Sequence, residues 1–221
     1  GEGNDVGAGI EDTFDESGDY LHLNEDELSV LEGLKGMKDD GNIRSITVIV
    51  NSANPVSMAF ADEEDYGVDA VLWVGSVGQT GLYALGDVLS GAVNPSGSLP
   101  DTWWKDNQLD PVQNNFGVYT YEGQEKYTYP ANANSHYVVY QEGVYLGYKY
   151  TETRYEDVVL GTPNAGNFQY NNVVAYPFGY GLSYTNFAFS DMQVQKVGEG
   201  LKTEYQLTVT VTNTGDKAGK K

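Results

Sequence analysis

Hydrophobic positions along the chain follow two periods. Leu28, Leu31, Leu34 and Met37 fall on one helical face behind Asn24, Glu25, Asp26 and Glu27, an N-cap followed by an acidic first turn. That pattern predicts a helix ending near Lys38, stopped by Asp39-Asp40-Gly41-Asn42. Ile46 to Val50 is a short β-branched run of the kind that a strand buried on both faces requires. A second apolar run, Val68 to Val74, leads into the turn Gly75 to Gly78, and Thr80 to Leu89 reads as a helix carrying Leu82, Leu85, Val88 and Leu89. Alternating helices and strands over residues 24–103 predict an α/β domain with a mainly parallel sheet sandwiched by helices, its strands at Ile46–Val50 and Val71–Val74.

Beyond Pro100 the pattern changes. Residues 104–136 are polar and rich in Asn, Gln, Gly and Pro, and read as long surface loops. Tyr137 to Tyr150, aromatic and β-branched, is expected to be extended, and Asp157 to Asn172 to be an insertion. Residues 1–23, rich in Gly and Asp, read as a loop. Tyr205 to Val211 alternates with period two, as a half-buried antiparallel strand does, and Asn213-Thr214-Gly215-Asp216 is a turn after it. The switch to pure β pattern sets an expected boundary near Asn186. The chain is expected to divide into an α/β domain over 1–185 and the first strands of an incomplete β-sandwich domain over 186–221, cut at both ends.

Composition narrows the function. The 221 residues include 32 acidic and 12 basic side chains, a net charge of -20. Phosphate backbones and anionic membrane surfaces both demand clustered Lys and Arg, so neither nucleic acid nor membrane is an expected partner. With no cysteine, disulfides and thiolate metal sites are excluded. No G-x-S-x-G elbow, Walker A loop or G-x-G-x-x-G stretch occurs. His22 and His136 are the only histidines, and nothing supports a Ser-His-Asp triad. Asp62-Glu63-Glu64-Asp65 lacks calcium-loop spacing and reads as a solvated turn. No cofactor or metal is expected. Carboxylates and aromatics remain, including 18 tyrosines. Such rings suit stacking on sugars and β-sheet cores alike. Two flanking carboxyl groups are what glycoside hydrolysis needs, but composition alone does not pick the pair.

Four segments in order resemble the C-terminal half of family 3 glycoside hydrolases. They are Gly1-Glu2-Gly3-Asn4-Asp5 with Gly18-Asp19-Tyr20-Leu21; Gly75 to Gly81 with Ala84 to Gly91 and Asn94 to Pro100; Tyr140 to Tyr150; and Pro177 to Thr185, followed by Val209 to Gly215. The second matches the family run G-x-x-A-L-x-D-V-L-x-G-x-x-N-P-S-G-x-L-P and is the most specific. The last segment resembles the opening of a fibronectin-type-III-like domain.

The resemblance implies part of a retaining, exo-acting β-glycosidase acting on a terminal non-reducing β-linked oligosaccharide or glycoside. Its nucleophile, an Asp, would lie on a (β/α)8 barrel that is absent from this sequence, so the chain alone is expected to be inactive. The acid/base would be a Glu in a G-E-G-x-D loop, which matches Glu2. Glu142, among Tyr140, Tyr145 and Tyr148, is the rival, because partial burial there could raise a carboxyl toward acid function. Its plainer role would be a hydrogen-bonded carboxylate holding the long loop. A non-catalytic sugar-binding or scaffold module is the alternative function.

Overall fold

In the computed structural model, residues 14–15, 18–19, 21–115 and 140–221 are described. They form two compact units, one from Gly1–Val77 and Pro100–Gly179, the other from Gly78–Leu99 and Tyr180–Lys221.

The first unit opens with a two-residue antiparallel pair, β1 (Phe14–Asp15) and β2 (Gly18–Asp19). Helix α1 (Glu25–Asp39) follows and starts at a capping box. The Asn24 side chain accepts from the Glu27 N–H and the Glu27 carboxylate accepts from the Asn24 N–H, both at 2.9 Å. Leu31 is buried and Leu28 and Leu34 half-buried, while Met37, at the end of the predicted face, is exposed.

The predicted parallel pair is present. β3 (Thr47–Val50) lies beside β4 (Ala70–Trp73) in register from Thr47 opposite Ala70 to Val50 opposite Trp73. Between them α2 (Ala59–Asp62) buries Phe60, and Met58 just before it is also buried. The Met58 and Ala59 N–H groups donate to the carbonyls of Trp104 and Lys105, each at 3.0 Å. This docks the crossover on β5 (Trp103–Trp104), which pairs antiparallel with β6 (Val174–Tyr176). Trp103 and Trp104 are buried, and Trp73 meets Trp103 edge to face at 5.4 Å. The Trp73 indole N–H donates to the Ser52 carbonyl at 2.7 Å, so its polar edge is satisfied as burial demands. Short α4 (Pro111–Asn115) follows a 3-10 turn at Asn107–Leu109.

One expectation fails here. From Tyr140 the chain makes turns and then enters α5 (Tyr148–Leu160), so the described part of 137–150 is not extended. Aromatic β-preference gives way to the backbone: Gly147 takes φ 62°, and the Tyr148 N–H donates to Asp101 Oδ1 at 3.1 Å, a cap supplied from elsewhere in the chain. The hydroxyls of Thr102 and Thr151 meet at 3.0 Å beneath the helix, with Thr151 fully buried. At the far end Gly161 is left-handed and closes α5 by donating to the carbonyls of Asp157 and Val158. The segment expected as an insertion therefore begins as helix. Its loop is then pinned by Arg154, which donates to the carbonyls of Asn164 and Ala165 and lies 5.2 Å over the Phe168 ring. It ends in α6 (Tyr170–Val173).

The second unit joins α3 (Leu82–Leu89) to the segment after Gly179. Asn94 is its hub. Its Oδ1 accepts from Ser183 Oγ at 2.9 Å and from the Tyr184 N–H at 2.8 Å, and its Nδ2 donates to the Ala218 carbonyl at 3.0 Å. Leu99 N–H donates to Tyr180 O at 2.8 Å and Tyr184 OH to Val88 O at 2.9 Å. Gly181 approaches the Gly97 carbonyl so closely that a Cβ there would collide with it. Two of the segments that carry the family resemblance thus fold onto each other. The rest of this unit is a hairpin, β7 (Phe187–Val197) against β8 (Glu204–Asn213), with an irregularity between Ser190 and Gln193. The strand expected over 205–211 is there, but it is exposed rather than half-buried.

Candidate functional site

Glu2, the acid/base expected from the resemblance, lies outside the described residues, as do residues 116–139 of the expected long loops. Glu142 is described. It sits in the 140–147 turn ahead of α5, and the stacked rings of Tyr148 and Phe178, 3.9 Å apart, mark the start of that helix. Tyr140 and Tyr145 on the same turn are about half exposed, at 54 % and 50 %. Both Glu142 carboxylate oxygens are shut off from solvent and accept no hydrogen bond among the described residues. The plainer role, a hydrogen-bonded carboxylate holding the long loop, thus finds no donor among the described residues.

Two further carboxylates act in this region, and the sequence reading singled out neither. Asp101 Oδ1 accepts from the Thr102 N–H at 2.8 Å and from the Tyr148 N–H at 3.1 Å. Asp110 Oδ1 accepts from the Val112 N–H at 3.1 Å. Burial pushes the Asp110 carboxyl up to about 6. The Val112 bond opposes this, and the charges of Glu142 and then Asp101 add to it. A carboxyl tuned toward neutrality is the kind of group that acid/base chemistry employs. Asp110 and Glu142 are 32 positions apart in sequence, so no local motif links them.

Tyr170 OH donates to Glu152 Oε1 at 2.7 Å. Burial and that carboxylate raise the phenol further above its ordinary range, which makes it a held neutral group rather than a nucleophile. Among the described residues, no group of three or more His, Cys, Asp or Glu side chains is arranged to hold a metal ion. At the carboxyl ends of β3 and β4, where open α/β sheets bind ligands, Ser52 Oγ donates to Asn54 O at 2.6 Å and fixes the 52–54 turn.

The comparisons place this architecture. The family model for the glycosyl hydrolase family 3 C-terminal domain matches residues 10–148. A β-glucosidase of Ruminococcus albus is 31% identical over 212 residues, which is 95% of this chain and 18% of that protein. An exo-α-(1→6)-L-arabinopyranosidase of Bifidobacterium longum is 32% identical over 173 residues, 78% of this chain and 18% of that protein. Among solved structures, β-glucosidase 3B of Thermotoga neapolitana in complex with α-D-glucose matches with a TM-score of 0.65 and 31% identity, over 90% of this chain and 23% of the other. The chain belongs to glycosyl hydrolase family 3, in the region of its C-terminal domain. It spans under a quarter of the length of each of these relatives.

Proposed function

We propose that this chain is the α/β part of a retaining, exo-acting β-glycosidase that removes terminal non-reducing β-linked sugars. The observation that carries the reading is the family match over residues 10–148, together with a β-glucosidase that is 31% identical across 95% of the chain. In this reading a (β/α)8 barrel elsewhere in the parent supplies the nucleophilic Asp, and Glu2 supplies the acid/base. A retaining mechanism needs both: one carboxylate attacks the anomeric carbon while the other protonates the leaving oxygen and later activates water. Residues 186–221, with the β7–β8 hairpin, are the opening of the fibronectin-like β domain.

The arabinopyranosidase among the relatives differs from the β-glucosidases in its named substrate, which fits a division of labour in which other parts of the parent choose the sugar. The test follows the stereochemistry of an aryl β-glucoside and an aryl β-xyloside incubated with the complete parent, by proton NMR at early time. Release of the β-anomer first is the expected result, and release of the α-anomer first contradicts retention. The purified 221-residue chain is expected to turn over neither substrate, because one carboxylate of the pair is not in it. Turnover at an enzyme's ordinary rate by this chain alone contradicts the division of labour.

A further inference from the structure

Charge is distributed unevenly along this chain. The stretches that form the first unit hold 27 acidic and 7 basic side chains and those of the second hold 5 and 5, so the whole net charge of -20 belongs to the first unit. Residues 1–34, which include Glu2, hold 11 acidic side chains and no Lys or Arg. Several of the first unit's cations are already committed to partners of their own. Lys38 is held by Asp69 at 2.7 Å, Lys105 lies 3.6 Å from Asp62, and Lys35 bridges to Asp39 within α1. Arg154 donates to the carbonyls of Asn164 and Ala165. Meanwhile Glu25, Asp26, Glu27 and Glu32 stand exposed on α1, and Glu63, Glu64 and Asp65 stand exposed just past α2. Lys38 Nζ reaches the Gly67 carbonyl at 2.8 Å, which brings the end of α1 alongside the turn that follows those three carboxylates.

An acidic surface kept only for solubility has no reason to stop at one unit. Still less would it leave neutral the unit that exposes Phe189 at 58 % and Leu207 at 64 %. We propose that the negative field of the first unit sorts substrates by charge, so that the parent takes neutral or cationic glycosides and turns away those bearing a carboxylate or sulfate. This rests on the glycosidase reading above and adds to it the class of glycoside. A surface of one sign enriches ions of the opposite sign and depletes those of its own before any contact is made. The effect acts on encounter, is steep at low ionic strength, and is screened beyond about 8 Å at about 0.15 M salt. Its link to the chemistry is the 1–34 stretch, where the proposed acid/base Glu2 shares the chain with ten other carboxyl groups and no cation.

The test uses the complete parent and three aryl β-glycosides of one sugar. They share a phenol leaving group and differ only at the end of an alkyl spacer on the ring, which carries a trimethylammonium, an uncharged amide or a carboxylate. At an ionic strength of about 10 mM, kcat/KM is expected to fall in that order, with a gap of about fivefold or more between the cationic and anionic substrates. The three values are expected to converge at about 0.5 M sodium chloride. In the triple variant Glu63→Lys, Glu64→Lys, Asp65→Lys the low-salt gap is expected to narrow, with the amide substrate turned over as by the wild type. Equal values at low salt in the wild type, which needs no variant to fold, overturn the inference and leave the glycosidase reading standing. So does a gap that salt does not close, since it would come from direct contacts and not from the field, and so does a gap that the triple variant leaves unchanged. Failure to hydrolyse even the amide substrate removes the glycosidase reading itself and this inference with it.

Discussion

Asp69 joins three pieces of chain through one carboxylate. Lys38 Nζ donates to both its oxygens at 2.8 and 2.7 Å, and the Ile46 N–H donates to Oδ2 at 2.7 Å. Lys38 also reaches the Gly67 carbonyl at 2.8 Å. The last turn of α1 is thereby tied to the residues that precede β3 and β4. The hydrogen bond from Lys38, then that from Ile46, holds the Asp69 carboxyl below its ordinary value. A depressed carboxyl stabilises the fold above the unfolded value and loses that contribution as pH falls through the folded one. Asp69→Asn is therefore expected to lower stability in urea melts at neutral pH, with the gap to wild type closing as pH falls below about 4. A gap that does not change with pH would show the carboxylate's charge to be irrelevant. None of this was legible in the sequence: Asp69 stands in an acidic stretch, and its partners are 31 and 23 positions away.

Elements were read most faithfully where their own residues decide them. The start of α1 was visible because Asn24 and Glu27 are three positions apart and satisfy each other's backbone donors. β3 and β4 were visible because short apolar runs of this length have few alternatives to a strand, but the burial on both faces expected for Ile46 to Val50 is not met: of the eight strand residues only Val50 is buried. α5 was misread because its helix depends on Gly147 and on Asp101, a cap 47 residues distant, while its own tyrosines favour a strand. In the hairpin, period two was legible in β8 but its burial was not. Cross-strand register puts Phe189 opposite Val211 and Val194 opposite Leu207 on one face, with Ser190 opposite Thr210 and Gln193 opposite Thr208 on the other. The apolar face is exposed, with Leu207 at 64 % and Phe189 at 58 %. A face patterned for burial and left open fits one half of a sandwich, the second sheet of the proposed β domain being its cover. Leu207→Asp is accordingly expected to destabilise the complete parent by about 3 kcal/mol, because it buries a charge, and to leave the 221-residue chain within about 0.5 kcal/mol of wild type. Thermal or urea unfolding of both proteins checks it. Equal effects in the two contradict the proposed cover.

For the molecule as a whole, the order of four dispersed segments was enough to reach the family, and the match over 10–148 agrees with it. The structure adds a reason for two of them. The Asn94-Pro95-Ser96-Gly97 and Gly181 to Thr185 segments hold each other through Asn94 and the Gly181–Gly97 approach, so their residue types are demanded by packing. Catalysis is less local, since the proposed mechanism divides it between Glu2 and a carboxylate on another domain. The decisive measurement is made on the complete parent carrying Glu2→Gln or, separately, Glu142→Gln, with aryl β-glycosides of graded leaving-group acidity, with and without azide. With Glu2→Gln, poor leaving groups are expected to slow by a factor of about 100 or more, while activated ones leave without a proton. Azide then restores turnover of the activated substrates and yields the β-glycosyl azide. Glu142→Gln is expected to show neither effect. If Glu142→Gln shows the leaving-group dependence and the azide rescue while Glu2→Gln behaves as wild type, the assignment of the acid/base to Glu2 is contradicted.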